Sequence, residues 1–205
     1  MRFVVTAGPT REYLDAVRFL SNPSTGKMGF AVAAAAAGRG HETVLIAGPV
    51  NLPTPKGVKR IDVMSARDML KAVHASLTGD SVLVATAAVA DFRPKRRAAR
   101  KLHKAEIARQ IELVPNPDIL KTAKARFKVG FAAETDAVEA SAAAKCRAKG
   151  LRLIVANDVS RPGAGFAADT NIASFVSPDG TTEKLPLMTK RRLAAKLVER
   201  IESWS

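Results

Sequence analysis

The feature that most constrains the fold is a regular alternation between short apolar runs and helical stretches. The run RFVVTAG at 2–8 precedes an alanine-rich stretch at 27–39, and the run ETVLIAG at 42–48 follows it. The longest apolar run, SVLVATAAVA at 81–90, is typical of a strand that is buried on both faces. Since strands that alternate with helices form βαβ units, the sequence predicts an α/β fold around a mostly parallel sheet.

The rest of the chain extends this pattern. We predict strands over 2–8, 42–48, 58–63, 81–90, 111–114, 128–135 and 151–159, and helices over 27–39, 65–77, 116–127 and 136–150. A β-hairpin over 171–187 and a last helix from Thr189 follow. Residues 93–109 show little periodicity and are predicted to form a mobile loop. Because no repeat or linker interrupts the 205 residues, one domain over 1–205 is expected.

Composition excludes several classes of protein. With 47% hydrophobic and 25% charged residues, the chain has the composition of a globular protein. Its apolar runs are too short to cross a bilayer, and its start does not resemble a signal peptide. The single cysteine, Cys146, excludes an intrachain disulfide framework and fits a reducing cytoplasm. Three scattered histidines add no metal-ligand cluster, so no metal is expected to be held by the protein alone.

The net charge of +14 leaves two interpretations open. A basic surface suits nucleic acids or anionic metabolites, whereas an arginine- and alanine-rich genome composition gives the same excess without function. The only dense basic run, at 95–109, contains no aromatic side chain on which a base could stack. We therefore expect no nucleic-acid partner, and a basic nucleic-acid-binding module remains an alternative.

The stretch PSTGKMG at 23–29 resembles a phosphate-binding loop but fails the test for one. A Walker loop needs a glycine separated by four residues from the Gly-Lys pair, and Ser or Thr after the lysine. Ser21 and Met28 occupy those positions here, so we interpret Lys27 as a structural or peripheral residue. No glycine fingerprint of a dinucleotide site follows the first strand either. GAGFAA at 163–168 matches a looser form, but it precedes a hairpin and is interpreted as a plain loop.

Polar groups follow several predicted strands, which is where open α/β sheets bind ligands. AGPT at 7–10, AAVADF at 87–92, NPDIL at 116–120 and GFAAET at 130–135 are such segments. Lys145 and Lys149 lie four residues apart on a predicted helix and share one face. Each feature alone is also compatible with turns, caps and packing. Together they predict a site for an anionic small molecule of nucleotide type.

An ordered series of motifs then resembles a known family. TAGPTREYLDAVRFLSNPSTGKMGFAVA, AAVADFRPK, LVPNPDIL, VGFAAET, LIVANDVS and LPLMTK occur in this order between residues 6 and 190. The chain resembles the phosphopantothenate–cysteine ligase family, also described as the DNA/pantothenate metabolism flavoprotein C-terminal family. That family corresponds to the ligase half of the bacterial bifunctional coenzyme A biosynthesis flavoprotein.

The resemblance implies a Rossmann-like fold that is usually dimeric. It implies a ligase that uses CTP to convert 4′-phosphopantothenate to an acyl-cytidylate with release of pyrophosphate; L-cysteine then displaces CMP. Mg²⁺ is expected to accompany CTP, and no flavin is expected because the decarboxylase half is absent. No motif separates CTP from ATP, and an NAD(P)-dependent oxidoreductase of similar fold remains an alternative.

The resemblance also assigns site residues by position. Asn22 matches an asparagine associated with the acyl-nucleotide and its attack by cysteine, and Lys101 matches the lysine that opens a basic K-x-K-K stretch. The residues that match nucleotide contacts are Asp91, Lys101, Pro117, Asp118, Ile119, Leu120, Phe131, Lys145 and Lys149. The chain departs from the family at His103, which replaces a lysine, and no function is transferred to His103 or Pro23.

Overall fold

The computed structural model describes residues 1–107, 110–134, 138–158 and 168–204. Its strands are β1 (Arg2–Ala7), β2 (Arg11–Tyr13), β3 (Phe19–Ser21), β4 (Glu42–Ala47), β5 (Val58–Asp62), β6 (Ser81–Ala85), β7 (Phe92–Pro94), β8 (Leu113–Pro115), β9 (Phe127–Glu134), β10 (Leu153–Asp158), β11 (Thr170–Asn171), β12 (Ala173–Val176), β13 (Thr182–Lys184) and β14 (Met188–Thr189). Its helices are α1 (Lys27–Gly38), α2 (Ala66–Ser76), α3 (Ile119–Thr122), α4 (Val138–Lys149) and α5 (Lys190–Glu202).

The central sheet has eight strands in the order β13-β12-β10-β9-β6-β1-β4-β5. Strands β5, β4, β1, β6, β9 and β10 are parallel, and β12 with β13 adds an antiparallel hairpin at one edge. Three short ribbons, β2 with β3, β7 with β8 and β11 with β14, lie outside this sheet. The predicted α/β class is thus confirmed, with its mostly parallel sheet, flanking helices, and C-terminal hairpin and helix.

The side chains of β1 alternate between two cores, which shows why helices cover both faces of the sheet. Phe3 and Val5 pack with α1 and α5 in one core, whereas Val4 packs with α2 and α3 in a second core on the opposite face. Successive side chains of a strand point to opposite faces, so a strand with apolar residues at every position needs both layers. A third core lies under α4, where Cys146 is buried as a packing residue.

Several predicted helix ends are present in the structure. Ser65 caps α2 in a capping box with Asp68, and Thr189 caps α5 by accepting a hydrogen bond from the Arg192 N–H at 3.2 Å. Gly40, which follows the C-cap residue Arg39 of α1, has a φ of 83°, and a left-handed residue at this position stops a helix. These local signals are short in range, which is why the sequence alone identifies them.

Other elements differ from the sequence prediction. The strand predicted over 81–90 ends at Ala85, and the helix predicted over 116–127 is the single turn Ile119–Thr122. The ribbon β2–β3 lies in a segment for which no strand is predicted. Strand β7 occupies the start of the predicted mobile loop, which also contains a 3₁₀ turn at Lys104–Glu106. The ribbons β2–β3 and β7–β8 are each held by antiparallel cross-strand pairing, which the local sequence pattern does not reveal.

Two further predictions concern the GAGFAA loop and membrane-spanning segments. Most of the GAGFAA segment, at 163–167, lies outside them, so its predicted loop stays a prediction. Within the described part of the chain, no helix has both the length and the apolarity needed to span a membrane.

Candidate active site

A cleft of about 700 Å³ lies beside the carboxyl ends of β1 and β6 and extends along β9 and β10. This is the edge at which open α/β sheets bind ligands. The predicted site residues in its lining are Asn22, Asp91, Pro117, Asp118, Ile119, Leu120, Phe131, Lys145 and Lys149. Lys101 is the predicted residue that does not line it. The fold therefore collects on one surface residues that are spread over more than half of the chain.

The N-terminal end of α1 forms one end of the cleft. Asn22 lies just before this helix and donates a hydrogen bond from Nδ2 to the carbonyl oxygen of Ala88 at 3.1 Å. Gly29, in the first turn of α1, has no room for a side chain, because an added Cβ would lie 2.5 Å from the Cβ of Ala7 and 2.9 Å from the carbonyl oxygen of Thr6. The helix therefore begins against the end of β1, with its first amide groups beside the cleft.

The segment that follows β6 forms the floor of the cleft. After β6 ends it stays beside residues 6–10: Ala88 forms an isolated parallel bridge with Pro9, in which the Ala88 N–H donates to the Gly8 carbonyl oxygen at 2.9 Å. Asn116 ties this segment to the next turn, since its backbone N–H donates to the carbonyl oxygen of Asp91 at 2.7 Å and its Nδ2 to that of Ala90 at 2.9 Å. The Asn116 bonds explain why Asp91 lies beside the turn that begins at Pro117.

An ion pair joins the NPDIL turn to α4. The Nζ of Lys149 lies 2.9 Å from Oδ2 of Asp118, and both side chains are about one-third exposed. Partial burial raises the pKa of Asp118, but hydrogen bonds from Lys149 and from the Lys121 N–H lower it by more, so this carboxyl has a pKa below its usual range. Asp118 is therefore ionised at neutral pH, and its negative charge orients Lys149 at the cleft.

Lys128 is a positioning residue that sequence reasoning misses. Its Nζ donates to the carbonyl oxygen of Lys149 at 2.7 Å and to that of Leu120 at 3.0 Å. One ammonium group thus binds the last residue of α4 and the end of the NPDIL turn. Lysine near a helix C-terminus is a common pattern, but nothing in the sequence shows that this lysine, in β9, reaches two other segments.

Lys101 lies in the exposed basic loop between β7 and β8, and this loop is attached to the ribbon β2–β3. Buried Asp15 accepts a hydrogen bond at 3.2 Å from the N–H of Leu102, the residue after Lys101. N–H groups of Arg18 and Val17 lower the pKa of Asp15 to about 2, so its charge persists at neutral pH. Since β3 leads directly to Asn22, one ribbon connects the Lys101 loop to the cleft.

Four polar residues that line the cleft are absent from the sequence-based site assignment. Lys27, Lys190, Asn157 and Asn171 all line the cleft. The interpretation of Lys27 as structural or peripheral misses its position: the structure places it at the cleft, where its Nζ lies 2.7 Å from Oδ1 of Asp169. The Walker-loop comparison tests one phosphate-binding geometry only, and it overlooks a lysine at the first position of α1.

Comparison with known proteins identifies the family. The model of the family described as DNA/pantothenate metabolism flavoprotein C-terminal domain matches residues 1–204. The chain belongs to this family. The resemblance found in the sequence is thereby confirmed for the DNA/pantothenate metabolism flavoprotein C-terminal domain, over nearly the whole chain.

Relatives in this family are bifunctional proteins. The chain is 46% identical over 207 residues to the coenzyme A biosynthesis bifunctional protein CoaBC of Bacillus subtilis (strain 168), covering 98% of this chain and 51% of that protein. It is 46% identical over 209 residues to CoaBC of Escherichia coli (strain K12), again with 98% and 51% covered. The chain thus spans about half the length of the curated relatives it matches.

Solved structures agree with the fold. The crystal structure of the C-terminal domain of CoaBC matches with a TM-score of 0.81 and 40% identity, covering 99% of this chain and 94% of that one. The DNA/pantothenate metabolism flavoprotein from Streptococcus pneumoniae matches with a TM-score of 0.84 over the full length of both chains, and at 22% identity it supports the fold alone.

Proposed function

We propose that this protein is a CTP-dependent acid–amino-acid ligase, which joins 4′-phosphopantothenate to L-cysteine in the cytoplasm through one domain over 1–205. The observation that carries the proposal is the cleft, where the nucleotide contacts that the family resemblance assigns, other than Lys101, lie together although they are distant in sequence. The coenzyme A biosynthesis names of the relatives support the same reaction class.

The proposed chemistry has two steps. In the first, a carboxylate oxygen of 4′-phosphopantothenate attacks the α-phosphorus of CTP, and pyrophosphate leaves to give the acyl-cytidylate. In the second, the amine of cysteine attacks the acyl carbon, CMP leaves with the electrons of the broken C–O bond, and the nitrogen loses a proton. The product is 4′-phosphopantothenoylcysteine. Both reactants of the first step are anions, so the protein has to neutralise charge and hold them in line.

Different residues of the cleft would bind the nucleotide and orient the acyl group. The turn Pro117–Leu120, Phe131, Lys145 and Lys149 would hold the nucleotide, with Lys145 and Lys149 on its phosphate oxygens. Lys101 would stabilise the charge that develops on the α-phosphoryl group when its loop closes over the nucleotide and excludes water. Asn22, at the entrance to α1, would orient the acyl group for the cysteine amine.

Mg²⁺ fits this site as an ion that accompanies the triphosphate. The described residues contain no group of three or more His, Cys, Asp or Glu side chains that could hold a metal. Mg²⁺ commonly binds through substrate phosphates and one or two carboxylates, and the exposed Asp91 supplies a carboxylate in the cleft. The ion would neutralise phosphate charge, and Asp91 would keep it at the floor of the cleft.

A pyrophosphate-release assay tests the proposed function. We expect release with CTP and 4′-phosphopantothenate that rises when cysteine is added, and at least roughly tenfold slower release when ATP replaces CTP, the discrimination that one set of base contacts can supply. Omitting 4′-phosphopantothenate is the control and should abolish release, since its carboxylate is the attacking group. Pyrophosphate release that is independent of 4′-phosphopantothenate would contradict the proposal, and equal rates with ATP would contradict its nucleotide preference.

We also propose that the protein is a homodimer that associates through the ribbons β2–β3 and β7–β8, which lie beside one another. Exposed apolar side chains on or next to these ribbons are Phe19, Leu20, Phe92, Ile111 and Leu113. Such a group of exposed apolar residues is typical of an interface. Because β3 leads to Asn22 and β7 follows Asp91, association there would place the partner beside the cleft.

Light scattering tests this association. The wild type should have about twice the mass of one 21.8 kDa chain at micromolar concentration. Phe92→Glu should shift the protein towards the monomer, whereas Leu187→Glu, at an equally exposed apolar position away from the ribbons, should not. A monomeric wild type, or an equal effect of the two substitutions, would contradict the proposal.

A further inference from the structure

Asp15 is a fully buried carboxylate that the proposed chemistry does not use. It lies in the turn between β2 and β3, and both of its oxygens accept hydrogen bonds. Oδ1 accepts from the backbone N–H groups of Val17 and Arg18, each at 2.8 Å. Oδ2 accepts from the guanidinium of Arg18 at 2.5 Å and from the N–H of Leu102 at 3.2 Å. One oxygen thus builds the turn, and the other reaches the Lys101 loop.

A second hydrogen bond attaches the same loop to the same turn. The Ala98 N–H donates to the carbonyl oxygen of Leu14 at 2.9 Å. Leu14 and Asp15, which are neighbours in the ribbon, therefore hold the loop at Ala98 and at Leu102. These two attachment points lie on either side of Lys101 in the sequence, so the ribbon determines where the backbone of Lys101 lies.

The loop is also closed on itself around Lys101. The carboxylate of Glu106 pairs with the guanidinium of Arg100 at 2.5 Å and accepts a hydrogen bond from the His103 N–H at 2.7 Å. Exposed ion pairs of this kind contribute little stability, whereas hydrogen bonds to a buried charge are strong. We therefore regard Asp15 as the main attachment of the loop, and the Arg100–Glu106 pair as a support that keeps the attached segment together.

The ribbon β2–β3 is itself attached to the cleft floor and to α2. The side chain of Thr10, directly before β2, accepts a hydrogen bond from the Ala90 N–H of the cleft floor at 3.0 Å. Buried Glu12 accepts one from the Ala66 N–H, at the start of α2, at 2.8 Å. The position of Asp15 relative to the cleft is thus set by contacts with the sheet and with a helix, and not by the exposed loop.

We propose that Asp15 is a positioning residue for Lys101: it holds the Lys101 loop at the turn of the ribbon, so that the Lys101 ammonium approaches the nucleotide from one fixed direction. The inference rests on the proposed function, which gives Lys101 its role. Asp15 does not line the cleft and acts only through Lys101. Such positioning matters because a displacement of about 1 Å at the reacting groups can lower a rate by about 100-fold.

Asp15→Asn removes the attachment and leaves the turn in place. Asn forms the same turn through its side-chain oxygen, so the bonds from the N–H groups of Val17 and Arg18 are kept. Its NH₂ group then lies in place of Oδ2 and cannot accept from the Leu102 N–H. We expect kcat for product formation to fall by about 10- to 100-fold, with KM for CTP changed by less than about threefold. Steady-state assays with CTP measure both values.

A double variant separates positioning from a general structural effect. If Asp15 acts only through Lys101, Asp15→Asn combined with Lys101→Gln should have the kcat of Lys101→Gln alone, within about twofold. Asp68→Asn is the matched control, since the Asp68 carboxylate also accepts a backbone N–H, that of Ser65 at 3.0 Å, and does not line the cleft. It should lower the melting temperature through the loss of its capping box and keep the wild-type kcat.

Limited proteolysis with trypsin measures the attachment without ligase activity. Arg100, Lys101 and Lys104 are exposed cleavage sites in the loop. Loss of the attachment should raise the rate of cleavage there by about three- to tenfold, because cleavage follows local opening. Asp68→Asn should leave this rate unchanged.

Leu102→Pro keeps the test valid if Asp15→Asn fails to fold, because it removes the N–H donor from the exposed loop and leaves the ribbon intact. Leu102→Ala keeps this N–H, so the difference in kcat and in cleavage rate between the two variants reports the hydrogen bond alone. The same decrease in kcat and the same increase in cleavage rate are expected for this difference.

Two results would overturn the inference: an unchanged kcat in Asp15→Asn, or decreases in kcat that add in the double variant. The first of these, with normal turnover, would leave the proposed function standing. Failure of the proposed function gives a different result. A wild type that forms no product would contradict the ligase reaction, and faster loop cleavage in Asp15→Asn would still support Asp15 as the attachment of the loop.

Discussion

Lys101→Gln should lower kcat for product formation by about 100- to 1,000-fold, the range observed when one preorganised donor to a developing charge is removed. Lys101 lies outside the cleft lining in a loop that β2–β3 anchors through Asp15 and Leu102. We therefore expect its ammonium to reach the nucleotide only when the loop closes. Affinity for CTP in the resting state should change less than kcat, because that contact forms during the reaction. Steady-state and single-turnover assays with CTP measure both effects.

Lys124→Gln is the matched control for this loop, since Lys124 is an exposed lysine outside the cleft. It should retain the wild-type kcat. Turnover of Lys101→Gln within a few-fold of the wild type would remove Lys101 from the chemistry. A decrease that appears only as a higher KM for CTP would instead make Lys101 a residue of ground-state binding.

The fold is predictable where its signals are local. Residues 2–8 and 42–48 are β-branched runs, and their pairing in β1 and β4 follows from the general behaviour of βαβ units. The end of β6 is not predictable in this way, because Thr86, Ala87 and Ala88 continue the run without a glycine, a proline or a charge to break it. The regular ladder is interrupted at Ala87, whose N–H donates to the side-chain Oγ1 of Thr6 at 3.3 Å, a residue distant in sequence.

The residues of the candidate site also fall into two groups: those that a short sequence motif identifies and those that only the folded chain brings to the cleft. The NPDIL turn and the lysine pair of α4 can be found because each is a short motif that the family resemblance interprets. Lys190 and Asn171 cannot, since their position in the cleft depends on the pairing of β11 with β14. The absence of a Walker loop argues against Lys27 on sequence alone, yet a cation at the start of a helix needs no Walker loop to meet a phosphate.

Asn22→Ala should lower formation of 4′-phosphopantothenoylcysteine by about 100-fold while pyrophosphate release without cysteine stays within a few-fold of the wild type. Asn22 is held at the α1 entrance by its bond to Ala88, so its amide can orient the acyl group for the cysteine amine. Trapping of the acyl-cytidylate by rapid quench, compared with product formation, separates the two steps. Asn51→Ala, at an exposed asparagine outside the cleft, should behave as the wild type. An equal decrease in both steps would contradict a role confined to the second, because a residue that binds CTP or 4′-phosphopantothenate affects the first step as well.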